Sequence, residues 1–349
     1  MMCPLLIVLF LAGLSAAHAA SPDTVSPLAT WPWPQAYKTT PHPGVTQWSD
    51  RSSPDKTVLY LLDFDFAANP NLRLELYDQD EDDETPLDNN VIFRQRGVGQ
   101  VTRDLNAGGR GKVVAVWNGA FFGLEGQVGH HVAAVVLDGR VHANVGLVRW
   151  TAGVQYLDGK PVFKALHQPD RKTLAAEFAF AAGGVQCLIR DGKPLKLQPY
   201  PEPGDKPLKQ PVPSTPREAG HIPTVDHIKT TRTSMAWSKD NTHLYLLIVQ
   251  EPDDEFSSIR TFLRRKPGAG GWNILELQRF WRALGAWGAV NLDGGVVTQM
   301  TCLRKDGNYL LIPPAWASEK QEMILPPSFK DAPKGGTIMY FYVRDTGLN

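Results

Sequence analysis

Three short segments of the sequence carry residue types from which a site could be built, at positions 118–122, 231–234 and 291–295. The first segment follows an apolar run and begins with Asn118 and Gly119. Such a run is typical of a buried β-strand. Functional side chains commonly lie where a strand passes into a loop. An amide followed by a glycine at that place could contact a bound ligand.

The second segment centres on a cation. Arg232 is flanked by Thr231 and Thr233 at the start of a predicted strand. A guanidinium presents a planar fork of donors that fits the oxygens of a phosphate or a carboxylate. The alternative is that Arg232 is an ion-pair partner on the surface.

The third segment combines an acid with glycines. A short apolar strand carries Asn291 and Asp293 on one face, because side chains two positions apart on a strand point the same way. Gly294 and Gly295 then allow backbone to approach a ligand closely. Asn-Gly and Asp-Gly-Gly are also ordinary turn sequences, so each segment alone could be structural. The three segments are informative together and in this order.

The ordered set resembles the phosphodiester glycosidase family, which includes the animal enzyme that uncovers the mannose 6-phosphate signal on lysosomal enzymes. The resemblance covers roughly residues 57–343. The matching positions are, in order, Asn118-Gly119-Ala120-Phe121-Phe122, Asp138-Gly139, Gly183-Gly184 with Asp191-Gly192, Arg232-Thr233, and Asn291-Leu292-Asp293-Gly294-Gly295.

The chain departs from the family pattern at two places. Where the family usually continues with a third glycine and then serines, this chain has residues 296–299 (Val-Val-Thr-Gln) before Met300. Ala120 also replaces a frequent glycine. The first change removes hydroxyl donors and backbone that could approach a ligand. The alternative to an enzyme is therefore a non-catalytic carbohydrate-binding or envelope-interaction protein on the same scaffold.

The resemblance implies hydrolysis of a sugar-1-phosphodiester, or a related cell-envelope glycan, to free sugar and a phosphomonoester. A phosphate leaving group is anionic and needs little protonation. The site then needs a cation for the phosphate and a carboxylate for the oxocarbenium-like carbon or an attacking water. Under this hypothesis Arg232 binds the phosphate, and Asp293 is the nucleophile or general base. The expected substrate-binding residues are Asn118, Gly119, Thr233, Asn291, Gly294 and Gly295.

Two further groups could take part in the chemistry. His130 could donate a proton near neutral pH. His130 and His131 are adjacent on a predicted strand and point to opposite faces, so at most one reaches the cleft. No ligand spacing requires a metal, and the sequence leaves open a divalent cation held by Asp293 or its neighbours.

Composition narrows the class of protein. The chain has 349 residues, of which 36 are basic and 36 acidic, so its formal net charge is zero. A protein that binds the phosphates of nucleic acid needs a basic excess, so nucleic acid is excluded as a partner. A hydrophobic fraction of 42% is ordinary for a globular protein. The expected partner is a carbohydrate or a glycosyl phosphate.

Residues 1–20 have the features of a signal peptide. The apolar run 5–14 is too short to span a bilayer, and residues 17–19 (Ala-His-Ala) fit a signal-peptidase site. We therefore expect a periplasmic or secreted protein without a transmembrane segment after signal removal. In an oxidising compartment Cys187 and Cys302 could pair, or they could remain separate thiols.

The turn sequences predict a hairpin-rich α+β fold of mixed or antiparallel sheets with a few packed helices. Asp-Gly between apolar runs favours a type I′ turn, because both central positions need positive φ. The clearest helix begins after Asn273 and ends at Gly285, and a second covers roughly 173–180. Apolar runs flank turn dipeptides at 138–139, 158–159, 191–192, 240–241 and 306–307.

The chain is expected to consist of an N-terminal arm followed by one domain, and two stretches of that domain have an unusual composition. Residues 21–56 are expected to form a Pro- and Trp-rich linker or arm, and 57–349 a phosphodiester glycosidase-like domain. The acidic stretch 78–84 departs from the EF-hand pattern and is interpreted as a solvated loop. The proline-dense stretch 198–223 is expected to be a long surface excursion.

Overall fold

The computed structural model describes residues 36–79, 92–125, 128–142, 150–197, 229–251, 270–313, 322–329 and 336–347. The predicted signal peptide, the acidic residues 80–84 and the proline-dense stretch 198–223 lie outside these residues. The elements are, in chain order, β1 (Tyr37–His42), β2 (Val45–Asp50), β3 (Val58–Asp65), β4 (Leu72–Asp78), β5 (Ile92–Arg94), α1 (Val98–Ala107), β6 (Lys112–Asn118), β7 (Phe122–Glu125), β8 (Val128–His131), β9 (Val135–Leu137), β10 (Arg140–His142), β11 (Trp150–Leu157), β12 (Lys160–His167), α2 (Arg171–Glu177), β13 (Phe180–Arg190), β14 (Lys193–Pro194), β15 (Arg232–Trp237), β16 (His243–Gln250), α3 (Ile274–Ala283), β17 (Gly288–Asn291), β18 (Met300–Leu303), β19 (Tyr309–Ile312), β20 (Met323–Leu325) and β21 (Met339–Asp345).

These strands form three sheets. The large sheet follows the path β1-β2-β3-β16-β15-β17-β13-β11-β12, with β9, β10 and β14 attached to it. A second sheet has the order β20-β19-β18-β6-β21-β4, and a small one has the order β5-β8-β7. Within the described ranges, each strand pair is antiparallel. The α+β prediction holds in broad terms, but the fold is strongly dominated by sheet.

Apolar layers cover both faces of the large sheet. One face packs on the second sheet, where the rings of Phe64 and Trp117 stack with centroids 5.9 Å apart. The other face is covered by α3, whose Trp281 is fully buried. The central strands are therefore apolar almost throughout, as strands buried on both faces must be. Burial of this kind is the main favourable term in folding.

The helix predicted after Asn273 is confirmed. The Asn273 side chain accepts the Glu276 N–H at 2.9 Å, and the Glu276 carboxylate accepts the Asn273 N–H at 2.8 Å. This reciprocal cap satisfies two N–H groups that the first turn leaves without partners. Gly285, with φ 71, follows the last turn.

The other two helices agree less well with the sequence analysis. The predicted helix over 173–180 is α2, which begins earlier, after Asp170 caps its first turn, and ends at Glu177. Helix α1 was not predicted from the sequence. Gly97 occupies its cap position and Gly99 lies in its first turn, and these glycines obscure the helical signal.

The predicted turn type is right for three hairpins and wrong for two. Positive φ at both central positions occurs at 138–139, 158–159 and 191–192. At 240–241 and 306–307 only the second residue has positive φ. In those loops the aspartate side chain instead accepts a backbone N–H two residues on, from Thr242 and Asn308 respectively.

Two local predictions are wrong. Residues 37–50 belong to the expected linker or arm at 21–56, but they form the β1–β2 hairpin. Proline is tolerated at Pro41 because β1 is an edge strand. Asp78 was expected in a solvated loop, but it is fully buried, with a carboxylate oxygen 2.9 Å from Nε2 of His131. A buried carboxylate needs such a partner.

The two cysteines that could pair are separate in the structure. Cys187 and Cys302 are both buried and free. Burial raises the pKa of the Cys302 thiol to about 12. None of the helices in the described ranges is long and apolar enough to cross a membrane.

The cap of α3 can be tested by substitution. Asn273→Ala should lower the free energy of unfolding by about 1 kcal/mol, because the first turn loses its side-chain acceptor. Asn273→Ser keeps a side-chain acceptor, so its free energy of unfolding should stay within a few tenths of a kcal/mol of the wild-type value. Urea unfolding followed by circular dichroism measures both, and equal losses for the two variants would contradict the capping role.

Candidate active site

The ends of strands from the large sheet and from the second sheet meet around one turn. Asn291 at the end of β17 pairs with Ser234 of β15 on one side and with Gln186 of β13 on the other. Asn118 ends β6 of the second sheet. The turn that follows β17, residues 293–295, lies between these strand ends. The three segments identified from the sequence therefore converge.

Strand alternation divides these residues between two faces of the large sheet. Ser234 accepts a hydrogen bond from Nε1 of Trp281 at 2.7 Å, so it faces α3. Arg232 and Asn291 share that face, because directly paired residues and residues two apart point the same way. Thr233 points to the opposite face and donates its hydroxyl to Oδ1 of Asn118 at 2.7 Å.

The side chain of Asn118 is fully occupied by protein partners. Its Nδ2 donates to the backbone oxygen of Asp293 at 2.8 Å, and its Oδ1 accepts from Thr233 and from the Gln299 N–H at 3.1 Å. Asn118 and Thr233 are both completely buried. Their hydrogen bonds fix the turn that carries Asp293, and the expected contact of both residues with a substrate stays a prediction.

The glycines after Asp293 allow the turn to pack on β15. A Cβ at Gly294 would lie 2.9 Å from the Thr231 oxygen and 3.7 Å from Cδ of Arg232. Gly295 has φ 62, and its N–H donates to the Thr231 oxygen at 3.0 Å. The close approach expected of these glycines is thus made to the chain's own backbone. Gly119 contributes similarly, because its oxygen accepts the Asp293 N–H at 3.1 Å.

Asp293 is the acid of the site. Its side chain is partly accessible to solvent, yet the surrounding protein removes enough hydration to raise its pKa to about 7. The Gly294 N–H, 2.8 Å from Oδ1, opposes this shift. A carboxylate with a pKa near neutrality can exchange protons at physiological pH.

Arg232 lies beside this turn. Continuing the β15–β17 register pairs position 232 with position 293, and Gly294 packs on Arg232. Arg232 is 1% exposed, and its Nε donates to the Trp272 oxygen at 3.0 Å. Thr230 and Trp272 exchange backbone hydrogen bonds next to it. The guanidinium is therefore held at a fixed place at the edge of the site.

Two polar residues on the same face extend the site, and one was not foreseen. Asn291 is 1% exposed, and within the described part of the chain its Oδ1 has no hydrogen-bond partner. Gln186, which is 3% exposed, lies next to it on β13. Nothing local in the sequence singles out Gln186. The strand pairing that brings it here spans about a hundred residues.

His130 is placed differently from the three segments. Its ring packs over Gly123 on the neighbouring strand β7, where a Cβ would lie 2.1 Å from Nε2. The adjacent His131 points inward to Asp78. In the part of the chain that the structure covers, no hydrogen bond or ion pair joins His130 to Arg232 or Asp293, so a catalytic role for His130 stays an untested prediction.

The sequence left open a divalent cation held by Asp293 or its neighbours. Among the residues that the structure describes, no three His, Cys, Asp or Glu side chains are grouped so that they could hold a metal ion.

Comparison with known proteins gives the family. The model of the phosphodiester glycosidase family matches residues 111–322, more than half of the chain. The chain belongs to the phosphodiester glycosidase family. No match was found among curated proteins. Membership points to a glycosidase-type hydrolase that acts on a glycan.

Solved structures agree in fold. The catalytic domain of zebrafish N-acetylglucosamine-1-phosphodiester alpha-N-acetylglucosaminidase, auto-inhibited by its pro-peptide, superposes with a TM-score of 0.51 at 14% identity, covering 89% of this chain and 87% of that one. A hypothetical protein from Synechocystis also has a TM-score of 0.51, at 11% identity, covering 89% and 64%. Identities this low show the fold alone.

The departure from the family pattern lies directly after the site. Residues Gly295–Val297 form one 3-10 turn. Gln299 is fully buried, and its Oε1 accepts the Val98 N–H at 2.9 Å, at the start of α1. This segment is therefore anchored to the second sheet and its helix. At the end of the segment that departs from the family pattern, Gln299 is therefore a packing residue of this chain.

The bridging role of Asn118 can be tested in the purified protein. Asn118→Ala should lower the free energy of unfolding by about 3 kcal/mol, because three buried groups lose their partner. Asn118→Asp can still accept from Thr233 and Gln299 but cannot donate to Asp293, so it should also destabilise. Guanidinium unfolding measures both variants. A loss below about 1 kcal/mol for Asn118→Ala would show that the amide does not fix the turn.

Proposed function

We propose that the chain is an exported hydrolase of a glycosyl-1-phosphodiester or a related cell-envelope glycan. One observation supports this above the others: Arg232 and the Asp293 turn lie side by side, in a chain of the phosphodiester glycosidase family. A cation and a carboxylate are the two groups that cleavage of a glycosyl phosphate requires. The signal sequence at residues 1–20 supports export to the periplasm or the medium.

In the proposed reaction the bond between the anomeric carbon and the phosphate oxygen breaks. The phosphate leaves with the electron pair and is stabilised by Arg232, which makes an acid catalyst unnecessary. The oxygen of a water molecule bonds to the anomeric carbon, and Asp293 accepts a proton from that water. The products are the free sugar and a phosphomonoester. A low-dielectric site strengthens the attraction between Arg232 and the developing charge.

Polar groups on the same face would orient the sugar. The Oδ1 of Asn291 is buried and can accept a hydrogen bond from a sugar hydroxyl. Gln186 lies beside it and offers an amide of the same kind. A buried acceptor without a hydrogen bond destabilises the protein. A ligand hydroxyl that donates a hydrogen bond to this oxygen therefore gains affinity and specificity.

Turnover of synthetic sugar-1-phosphodiesters tests the proposal. Arg232→Lys should lower kcat/KM about 100-fold, because a planar fork is replaced by a point charge. Asp293→Asn should lower kcat about 1000-fold. Arg344→Lys is the matched control, because Arg344 is equally buried but lies in β21.

The outcomes separate the candidate functions. Inversion at the anomeric carbon, followed by NMR, is expected for Asp293 as general base, whereas retention would make it the nucleophile. Binding of the diesters without products would overturn the hydrolase and favour the carbohydrate-binding alternative. Equal losses for Arg232→Lys and Arg344→Lys would remove the phosphate-binding role of Arg232.

The pH dependence follows from the raised pKa of Asp293. As a base, Asp293 must be ionised, so kcat/KM should rise with pH and level off above its pKa of about 7. Two pH units below that value the rate should be about 100-fold lower. Measurement of kcat/KM from pH 4.5 to 9 with a synthetic diester checks this. A rate that falls as pH rises through 7 would instead require the protonated acid.

A further inference from the structure

Glu251 is a buried carboxylate next to the candidate site that neither the sequence motifs nor the proposed reaction uses. It directly follows β16 and is 3% exposed. Arg232 pairs with Val249 across β15 and β16, so Glu251, two residues further along, points to the same face as Arg232.

The carboxylate of Glu251 is connected to the catalytic turn through Thr231. Its Oε1 accepts the Thr231 N–H at 2.7 Å. The Thr231 oxygen accepts the Gly295 N–H at 3.0 Å, and the Thr231 hydroxyl donates to the Gly295 oxygen. Glu251 therefore fixes the backbone of Thr231, and Thr231 in turn forms two hydrogen bonds with Gly295 in the turn after Asp293. The same residue, Thr231, directly precedes Arg232.

The segment at 271–272 provides the space for this arrangement. A Cβ at Gly271 would lie 2.9 Å from Cγ of Glu251 and 2.5 Å from the Thr230 oxygen. Gly271 also has φ 85, which other residues rarely adopt. The next residue, Trp272, accepts the hydrogen bond from Nε of Arg232. One short segment thus makes room for Glu251 and anchors Arg232.

We infer that Glu251 is a positioning residue, which sets the place of both Arg232 and the Asp293 turn by holding the backbone of Thr231. Glu251 takes no part in bond making or breaking. The inference rests on the proposed function for its kinetic consequence, and on the structure alone for its effect on the turn. A small displacement of reacting groups is enough to cost about 100-fold in rate.

Two substitutions separate the hydrogen bond from the charge. Glu251→Ala removes the acceptor for the Thr231 N–H, whereas Glu251→Gln retains an oxygen acceptor and loses the charge. Glu75→Ala and Glu75→Gln are matched controls, because Glu75 is a largely buried carboxylate that contacts Arg344 in the second sheet. Each variant of the full chain is examined by hydrogen exchange with mass spectrometry and by kinetics on a synthetic sugar-1-phosphodiester.

Glu251→Ala should lower kcat about 100-fold. It should also speed amide exchange about fivefold in peptides that contain residues 230–232 and 293–296, with little change elsewhere. Glu251→Gln should recover most of both effects. The Glu75 variants should leave exchange in these two peptides unchanged. This local pattern distinguishes positioning from a general loss of stability, which would speed exchange throughout the chain.

Three results would overturn the inference. The first is unchanged exchange in the two peptides of Glu251→Ala, and the second is exchange that rises uniformly along its chain. The third is a Glu251→Gln variant as impaired as Glu251→Ala, which would assign the effect to charge. If the wild-type chain turns over no diester, the proposed function fails, but the exchange measurements still decide the role of Glu251.

Discussion

The side-chain amide of Asn118 joins the two large sheets at the place where the candidate site is built. It donates to the backbone of Asp293 and accepts from Thr233 and Gln299, so three distant parts of the chain meet on one group. An amide carries its donor and an acceptor for two hydrogen bonds on separate atoms, so one side chain can bond to all three partners. A carboxylate could not donate, and an apolar side chain would leave three buried groups without partners. The position of the Asp293 turn relative to β15 therefore depends on this side chain.

Burial gives the site its electrostatic character. The pKa of Asp293 is raised to about 7 because the protein around it removes hydration that the carboxylate would have in water. Arg232, beside the Asp293 turn, is almost completely buried. Both groups interact more strongly with a charged ligand where water is scarce, and both weaken the folded state. The apolar layers on the two faces of the large sheet offset that cost.

The sequence predicts much of this architecture because its signals are local. Asp-Gly turns need positive φ, and the cap at Asn273 needs only three further residues, so hairpins and α3 can be recognised within short windows. The convergence of Arg232, Asn291 and Asp293 was inferred from their order. Gln186 could not be found in this way, because its place beside Asn291 arises from pairing between strands about a hundred residues apart. Glu251 follows the predicted β15–β16 hairpin, but it belongs to none of the three motifs.

The sequence also could not assign faces. In strands buried on both sides, apolar residues occupy both faces and alternation gives no direction. Arg232 and Thr233 are neighbours in one motif, yet the structure directs Arg232 toward α3 and Thr233 toward the second sheet. Two neighbours in one motif thus have different positions. Arg232 lies on the face where a ligand could bind, and Thr233 forms a hydrogen bond that links the large sheet to the second sheet.

The same division bears on the departure from the family pattern at residues 296–299. Gln299 lies against the start of α1, and its backbone N–H meets Asn118, on the side of the second sheet. Arg232 and Asn291 lie on the opposite face of the large sheet, toward α3. Gln299 thus lies on the side that supports the turn, whereas Arg232 and Asn291 lie on the α3 face. For this reason the loss of the family's serines is a weaker argument against catalysis than their position in the motif suggests.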